Sequence, residues 1–233
     1  MQTQTRLNDE AGRLAALERL QVLDTEPEAR FENIVSLVRS VLDVPIAAVT
    51  LVDGERQWFK ARRGMPSAQT PRDISFCAHA INQIDPLVVI DAKADPRFHE
   101  NPLVTGDPNI GSYAGIPLTL ADGYTVGALC AIDVKPRAFT SLELAQLTGL
   151  ARIVVQELEL RDIAERDHLT GALSRRAFCQ EVEHEIARFG RYRRPSTLLM
   201  IDLDHFKSVN DRHGHQAGDQ AQPSEACDTP ARF

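Results

Sequence analysis

Val44-Pro-Ile-Ala-Ala-Val-Thr-Leu-Val-Asp-Gly-Glu-Arg-Gln-Trp-Phe-Lys-Ala-Arg62 is the stretch that decides the fold class. Val44–Val52 is rich in β-branched and apolar residues, Asp53-Gly54 supplies a turn, and Gln57–Arg62 returns as a partner strand. Upstream the pattern is helical. Leu14, Leu17 and Leu20 recur at short helical spacing. Thr25-Glu-Pro-Glu28 predicts a helix start, with Thr25 accepting backbone N–H groups, Glu28 reaching back and Pro27 near the first turn. Ile34, Val35, Leu37, Val38, Val41 and Leu42 are expected to line one face of that helix, which Pro45 ends. Downstream, Leu87–Ile90 predicts a short buried strand, and Tyr113–Leu120 and Thr125–Asp133 flank Ala121-Asp-Gly-Tyr124 as a second hairpin. Asp91–Gly111 is Pro- and Asp-rich and too long for a plain connector, so it is expected to be a functional loop. Helices before, between and after antiparallel strands predict an α+β sheet with one face covered.

Thr140-Ser-Leu-Glu143 is a capping box that opens a helix running to about Asp167. Leu147, Leu150, Ala151, Val154, Val155 and Leu158 form an apolar stripe on it. That stripe fits a helix packed on its own sheet or a homodimer formed through residues 141–166 that carries a signal onward. A second segment starts at Asp167, with a helix over about Arg175–Arg188 and a buried strand Leu198–Ile201 ending in Asp202. After Asp219 the apolar period disappears, and residues 220–233 are expected to form a disordered tail. The organisation expected is therefore a domain over 1–160, a connecting helix 141–166, part of a second domain over 167–219, and the tail.

Composition narrows the class. Of 233 residues 43% are hydrophobic and 25% charged, as in ordinary globular proteins. A net charge of −7 argues against nucleic acid as partner, and no apolar run approaches a membrane span. The start MQTQTRLNDEAGRL lacks the marks of a signal peptide. Cys77, Cys130, Cys179 and Cys227 form no CxxC pair and fit reduced thiols. The expected location is the cytoplasm.

Specific motifs carry a resemblance. Leu23-Asp-Thr-Glu-Pro-Glu28, Val52-Asp-Gly-Glu-Arg-Gln-Trp-Phe-Lys60, Ser75-Phe-Cys-Ala-His-Ala-Ile81, Val89-Ile-Asp-Ala92, Asp95-Pro-Arg-Phe98, Asn101-Pro-Leu-Val104, Tyr113-Ala-Gly-Ile-Pro-Leu118 and Gly127-Ala-Leu-Cys130 occur in this order. Residues from about Arg13 to Leu160 thereby resemble a GAF domain of bacterial signalling proteins. The resemblance implies a sensor fold whose ligand is not fixed: GAF domains bind cyclic nucleotides, tetrapyrroles, haem or small metabolites. Cys77 and His79 are the candidate pocket residues, His79 as an axial ligand or Cys77 as a redox-active or chromophore-bearing thiol. At i and i+2 on a helix they point about 200° apart and would not chelate one metal; both also fit packed core residues. Asp95-Pro-Arg-Phe98 reads as an Asx-turn in which Arg97 ties down the loop.

Asp167-His-Leu-Thr-Gly-Ala-Leu-Ser-Arg-Arg176, Ile201-Asp-Leu-Asp-His-Phe-Lys-Ser-Val-Asn-Asp211 and Gly214-His-Gln-Ala-Gly-Asp219 resemble the first part of a GGDEF (diguanylate cyclase) domain. Ser174 stands where that family usually has Asn. The expected fold is thus a GAF-type antiparallel sheet flanked by helices, then a connecting helix, then an incomplete GGDEF α/β domain. Diguanylate cyclases join two GTP into cyclic di-GMP, each 3′-hydroxyl attacking the α-phosphate of the other nucleotide. By resemblance Asp202 and the Leu203 carbonyl would hold Mg²⁺, a hard cation suited to oxygen donors. The turn near Phe206 would offer N–H groups to phosphate. Asn210 and Asp219 would read the guanine edge, with His215 beside them. The Gly-Gly-Asp/Glu-Glu-Phe sequence, which carries the family's second metal ligand and catalytic acid, occurs nowhere in the 233 residues, so no catalytic residue is assigned.

The function expected is a GAF sensor regulating a GGDEF-type output in cyclic di-GMP signalling, with a truncated, inactive output domain whose end looks frameshifted or cut short. GTP and an unknown small molecule are the expected partners. The alternatives are a working diguanylate cyclase and a redox enzyme similar to the free-methionine sulfoxide reductases, recruiting Cys77 and Cys130.

Overall fold

The computed structural model describes residues 6–165 continuously, and beyond them only 172–174, 178–179, 182–183, 185–186, 189–190, 193, 195–201, 206 and 212. The chain divides into two compact units, Met1–Leu160 and Arg161–Phe233.

The first unit is built on a six-stranded antiparallel sheet in the order β3-β2-β1-β6-β5-β4. Its strands are β1 (Ile46–Val52), β2 (Arg56–Arg63), β3 (Gln69–Pro71), β4 (Leu87–Val89), β5 (Ser112–Thr119) and β6 (Thr125–Asp133). Both expected hairpins form. Asp53 closes the first, its carboxylate accepting the Glu55 and Arg56 N–H groups at 2.9 and 2.7 Å, as a short acidic side chain does in a turn. The β1–β2 register slips between Val49 and Thr50, so that Lys60 sits in a bulge.

Every residue of β1 is buried, because both faces of the sheet are covered rather than the one expected. On one face, Ala47, Val49 and Leu51 pack with α1 (Glu10–Arg19), α2 (Ala29–Leu42) and α5 (Ser141–Glu165). On the other, Ile46, Ala48, Val52, Cys130 and Ile132 pack under α3 (Phe76–Ala80), α4 (Pro102–Thr105) and the Asp91–Gly111 stretch. That stretch is therefore a packed cover: it buries Ala92, Phe98, Val104 and Ile110, and Asn101 caps α4 while its amide holds the Ile74 carbonyl at 2.9 Å.

Two local expectations are corrected. The Thr25–Glu28 capping box does not form. The helix begins at Ala29 with Glu28 as N-cap and no side-chain cap bond, because Glu28 is drawn to Lys60 Nζ (2.6 Å) and Thr25 bonds to Val22 and Lys60. Leu37 and Val41 are exposed, and Phe31, Ile34, Val35, Val38 and Leu42 make the buried face. The Thr140 box does form: Thr140 N–H donates to Glu143 at 2.7 Å and Glu143 N–H donates to the Thr140 hydroxyl at 3.2 Å. Leu147, Ala151, Val154 and Leu158 of α5 are buried in their own domain, and Leu150 and Val155 pack against them.

In the second unit, residues 178–179, 182–183, 185–186 and 189–190 are helical, where a helix was expected. Leu198–Ile201 are exposed and not a strand; no ladder forms beside them among the described residues, and an unpaired strand would leave its backbone groups without partners. Residues 220–233, expected as a tail, lie outside the described residues. Among those described, no helix is long and apolar enough to cross a membrane.

Candidate ligand site beside helix α3

Ser75 sets the start of α3, its hydroxyl accepting the Ala78 N–H at 3.1 Å and bonding to the buried Gln57 amide. The five residues that follow present two different faces. Cys77 points into the core, fully buried, with its sulfur 3.2 Å from the Tyr113 hydroxyl. Phe76 stacks on Phe98 at 4.0 Å between ring centres and leans on Tyr113 at 5.1 Å. His79 points outward, its ring edge-on to Phe98 at 4.9 Å. The structure thus separates Cys77 from His79, as the helical period requires.

His79 lines an open cleft of about 650 Å³ together with Gly54, Glu55, Arg72, Asp73, Ala78 and Asn82. Burial and the nearby Arg97 guanidinium hold its pKa below the ordinary value, against the pull of Asp95. At neutral pH the ring is therefore uncharged, one nitrogen donating and the other accepting. Arg72, in that lining, is bonded to Glu10 at 2.7 Å and to the Asp53 carbonyl at 2.9 Å. Asp95 accepts the Arg97 N–H at 2.9 Å and its guanidinium at 3.0 and 2.7 Å, which makes Asp95-Pro-Arg-Phe98 the tied turn read from its sequence. The cleft offers a small polar molecule neutral donors and acceptors from His79 and Asn82 and charges of both signs. Sequence reasoning singled out His79 and missed Glu55, Arg72, Asp73 and Asn82. They come from three separate segments, and no local signal joins them.

Of the residues assigned to nucleotide and metal, Phe206 is helical and partly buried. Asp202, Leu203, Asn210, His215 and Asp219 lie outside the described residues. Among the described residues no three His, Cys, Asp or Glu side chains gather as a metal site.

A six-stranded antiparallel sheet sandwiched between helices, with an open polar cleft beside a short helix, defines a sensor-type α+β domain. A family model, "GAF domain", matches residues 26–158, more than half of the chain, and the chain belongs to the GAF family. A second, "Diguanylate cyclase, GGDEF domain", matches residues 164–222. A cyclic di-GMP phosphodiesterase of Pseudomonas aeruginosa is 38% identical over 197 residues, 84% of this chain and 33% of that protein. The Escherichia coli K12 protein named "Probable diguanylate cyclase DgcC" is 37% identical over 90 residues, 39% of this chain and 24% of that one. The chain thus spans a third or less of the length of either relative. Among solved structures, the free methionine-R-sulfoxide reductase of Neisseria meningitidis superposes with a TM-score of 0.50 at 18% identity, over 69% of this chain and 96% of that one; this likeness is one of fold.

Proposed function

We propose that the chain is the sensory and connecting part of a cyclic di-GMP signalling protein, in which the GAF domain regulates a GGDEF-type nucleotide domain. The observation that carries this is the order of the two family matches, 26–158 and 164–222, along one chain, with α5 running from Ser141 to Glu165 between them. In the nucleotide half, Asp202 and the Leu203 carbonyl are oxygen donors of the kind magnesium takes, and the ion would neutralise triphosphate charge there. Asn210, His215 and Asp219 would face the guanine, and backbone N–H groups near Phe206 the phosphates. The chain by itself does not complete the cyclase reaction, because the acid of the Gly-Gly-Asp/Glu-Glu-Phe sequence is not among its residues. The Pseudomonas relative favours a second reading, in which the same pair of domains regulates breakdown of cyclic di-GMP instead of its synthesis.

Transmission runs through α5 in a homodimer. Besides its core stripe, α5 exposes Leu142, Gln146, Gly149, Ile153, Gln156 and Leu160, spaced alternately four and three apart. That is the spacing of a helix seam, and a second copy of the same helix matches it. The test is to fuse residues 1–166 ahead of a complete, active GGDEF domain and measure cyclic di-GMP formation. The expected result is a rate at least about fivefold different from that of the isolated domain, and lost with Ile153→Lys. Equal rates with and without the fused segment would overturn the proposal.

A further inference from the structure

Cys77 on α3 and Cys130 on β6 are both enclosed by the core and both free. Tyr113 lies beside both. Its hydroxyl sits over Gly115, where an added Cβ would stand 2.1 Å from it, and Gly115 is directly opposite Cys130 in the β5–β6 ladder. The same hydroxyl is 3.2 Å from the Cys77 sulfur. Cys130 in turn rests 3.5 Å from the Ala48 carbonyl, and Thr50, buried nearby, bonds to the Ala128 carbonyl at 3.0 Å and acts on the Cys77 thiol. Two thiols, a phenol and a threonine hydroxyl thus share one small volume between α3 and the sheet.

The two thiols are not equivalent. Burial pushes the Cys77 thiol up, but hydrogen bonds from Cys130, Thr50 and Tyr113 outweigh it and leave it below the ordinary value. Contact with Cys77, and then burial, raise Cys130. Cys77 is the better nucleophile of the pair.

We propose that Cys77 and Cys130 are a peroxide-responsive dithiol that closes to a disulfide inside the GAF core. The Cys77 sulfur attacks one oxygen of hydrogen peroxide; an S–O bond forms, the O–O bond breaks, and the thiol proton leaves with the departing oxygen as water. The Cys130 sulfur then attacks the sulfenic sulfur of Cys77; the S–S bond forms, the S–O bond breaks, and the oxygen departs with the Cys130 proton as a second water. Two thiols and one peroxide give one disulfide and two waters, the sulfurs losing the two electrons that the peroxide gains. Peroxide enters by local opening of α3, a helix of five residues held at its start by Ser75. Closure replaces the Cys77–Tyr113 contact and binds α3, which carries His79 at the cleft, to β6, the last strand before α5. The pair acts as a sensor and needs no organic substrate, and it rests on the GAF core alone, apart from any output domain.

The test uses the reduced full chain, treated with hydrogen peroxide, denatured, alkylated and digested without reductant. Mass spectrometry is expected to show the Cys77 and Cys130 peptides joined with the loss of two hydrogens, and loss of alkylation at both. In Cys130→Ala, dimedone is expected to label Cys77. The proposal is overturned if both thiols stay fully alkylated while the exposed Cys179 is oxidised, or if Cys77 is linked to Cys179 instead. Absence of a dimedone adduct on Cys77 in Cys130→Ala would equally overturn it.

Discussion

Lys60 lies in the β2 bulge with its side chain wholly enclosed, its ammonium 2.6 Å from Glu28 and 2.7 Å from the Thr25 hydroxyl, with the Glu26 carbonyl at 3.1 Å. It also stands 5.5 Å from the Phe31 ring centre and 5.8 Å from that of Trp58. A buried charge keeps its place only while it is paired, and removing one partner of such a pair costs about 3 kcal/mol. Glu28→Ala is accordingly expected to lower unfolding free energy by about 3 kcal/mol in urea titration, whereas Asp122→Asn, which breaks the exposed pair with Arg19, costs under about 1 kcal/mol. Equal effects would contradict this account of Lys60. Glu28 was readable as a helix-start residue but its partner was not, since Lys60 lies on a strand 32 positions away and reaches it only through the bulge. A second residue carries pH dependence. Hydrogen bonds from Arg13 and then Arg72 hold the Glu10 pKa down, from 4.5 to about 2. A carboxylate depressed on folding stabilises above its unfolded pKa, and the contribution is lost as pH falls through the folded value. Glu10→Gln is therefore expected to flatten the loss of thermal stability between pH 4.5 and 2; an unchanged slope there would sink the assignment. The partial exposure of Glu10 keeps the effect modest.

At the scale of elements, α5 has a buried face and an exposed one, and substitutions on them are expected to separate. Leu147 is buried against the sheet, so Leu147→Ala costs about 3 kcal/mol by the loss of packed volume. Ile153 is 44% exposed on the other face. Ile153→Lys is expected to leave the folded secondary structure intact in circular dichroism and to convert a dimer to a monomer in light scattering; a monomeric unsubstituted chain would refute the seam. The inner stripe was legible because its period matches a helix and its capping box is local. The helix start at Thr25 and the roles of Leu37 and Val41 were not. In both places a local signal was present in residues that tertiary packing then used differently, with Phe31 joining the buried face and Leu37 and Val41 left outside it. The short α3 was visible only as a motif. Its division into an inward Cys77 and an outward His79 follows from helix geometry once the helix is known.

For the whole molecule, the hairpins and their turns were readable because Asp53-Gly54 and Asp122-Gly123 are local signals. The second covered face was not, since Asp91–Gly111 buries only scattered residues, Ala92, Phe98, Val104 and Ile110, with no period to announce them. The cleft was half legible, through His79, and its remaining lining is assembled by the fold from the β1–β2 turn, the approach to α3, and Ala78 and Asn82 in and just after α3. The GAF domain is followed here by a GGDEF-type segment, residues 164–222, and no Gly-Gly-Asp/Glu-Glu-Phe sequence occurs among the 233 residues. The direct test is to incubate the purified chain with GTP and Mg²⁺ and resolve the nucleotides by chromatography. No cyclic di-GMP is the predicted result. Product that accumulates in proportion to the protein, and disappears with Asp202→Asn, would contradict it.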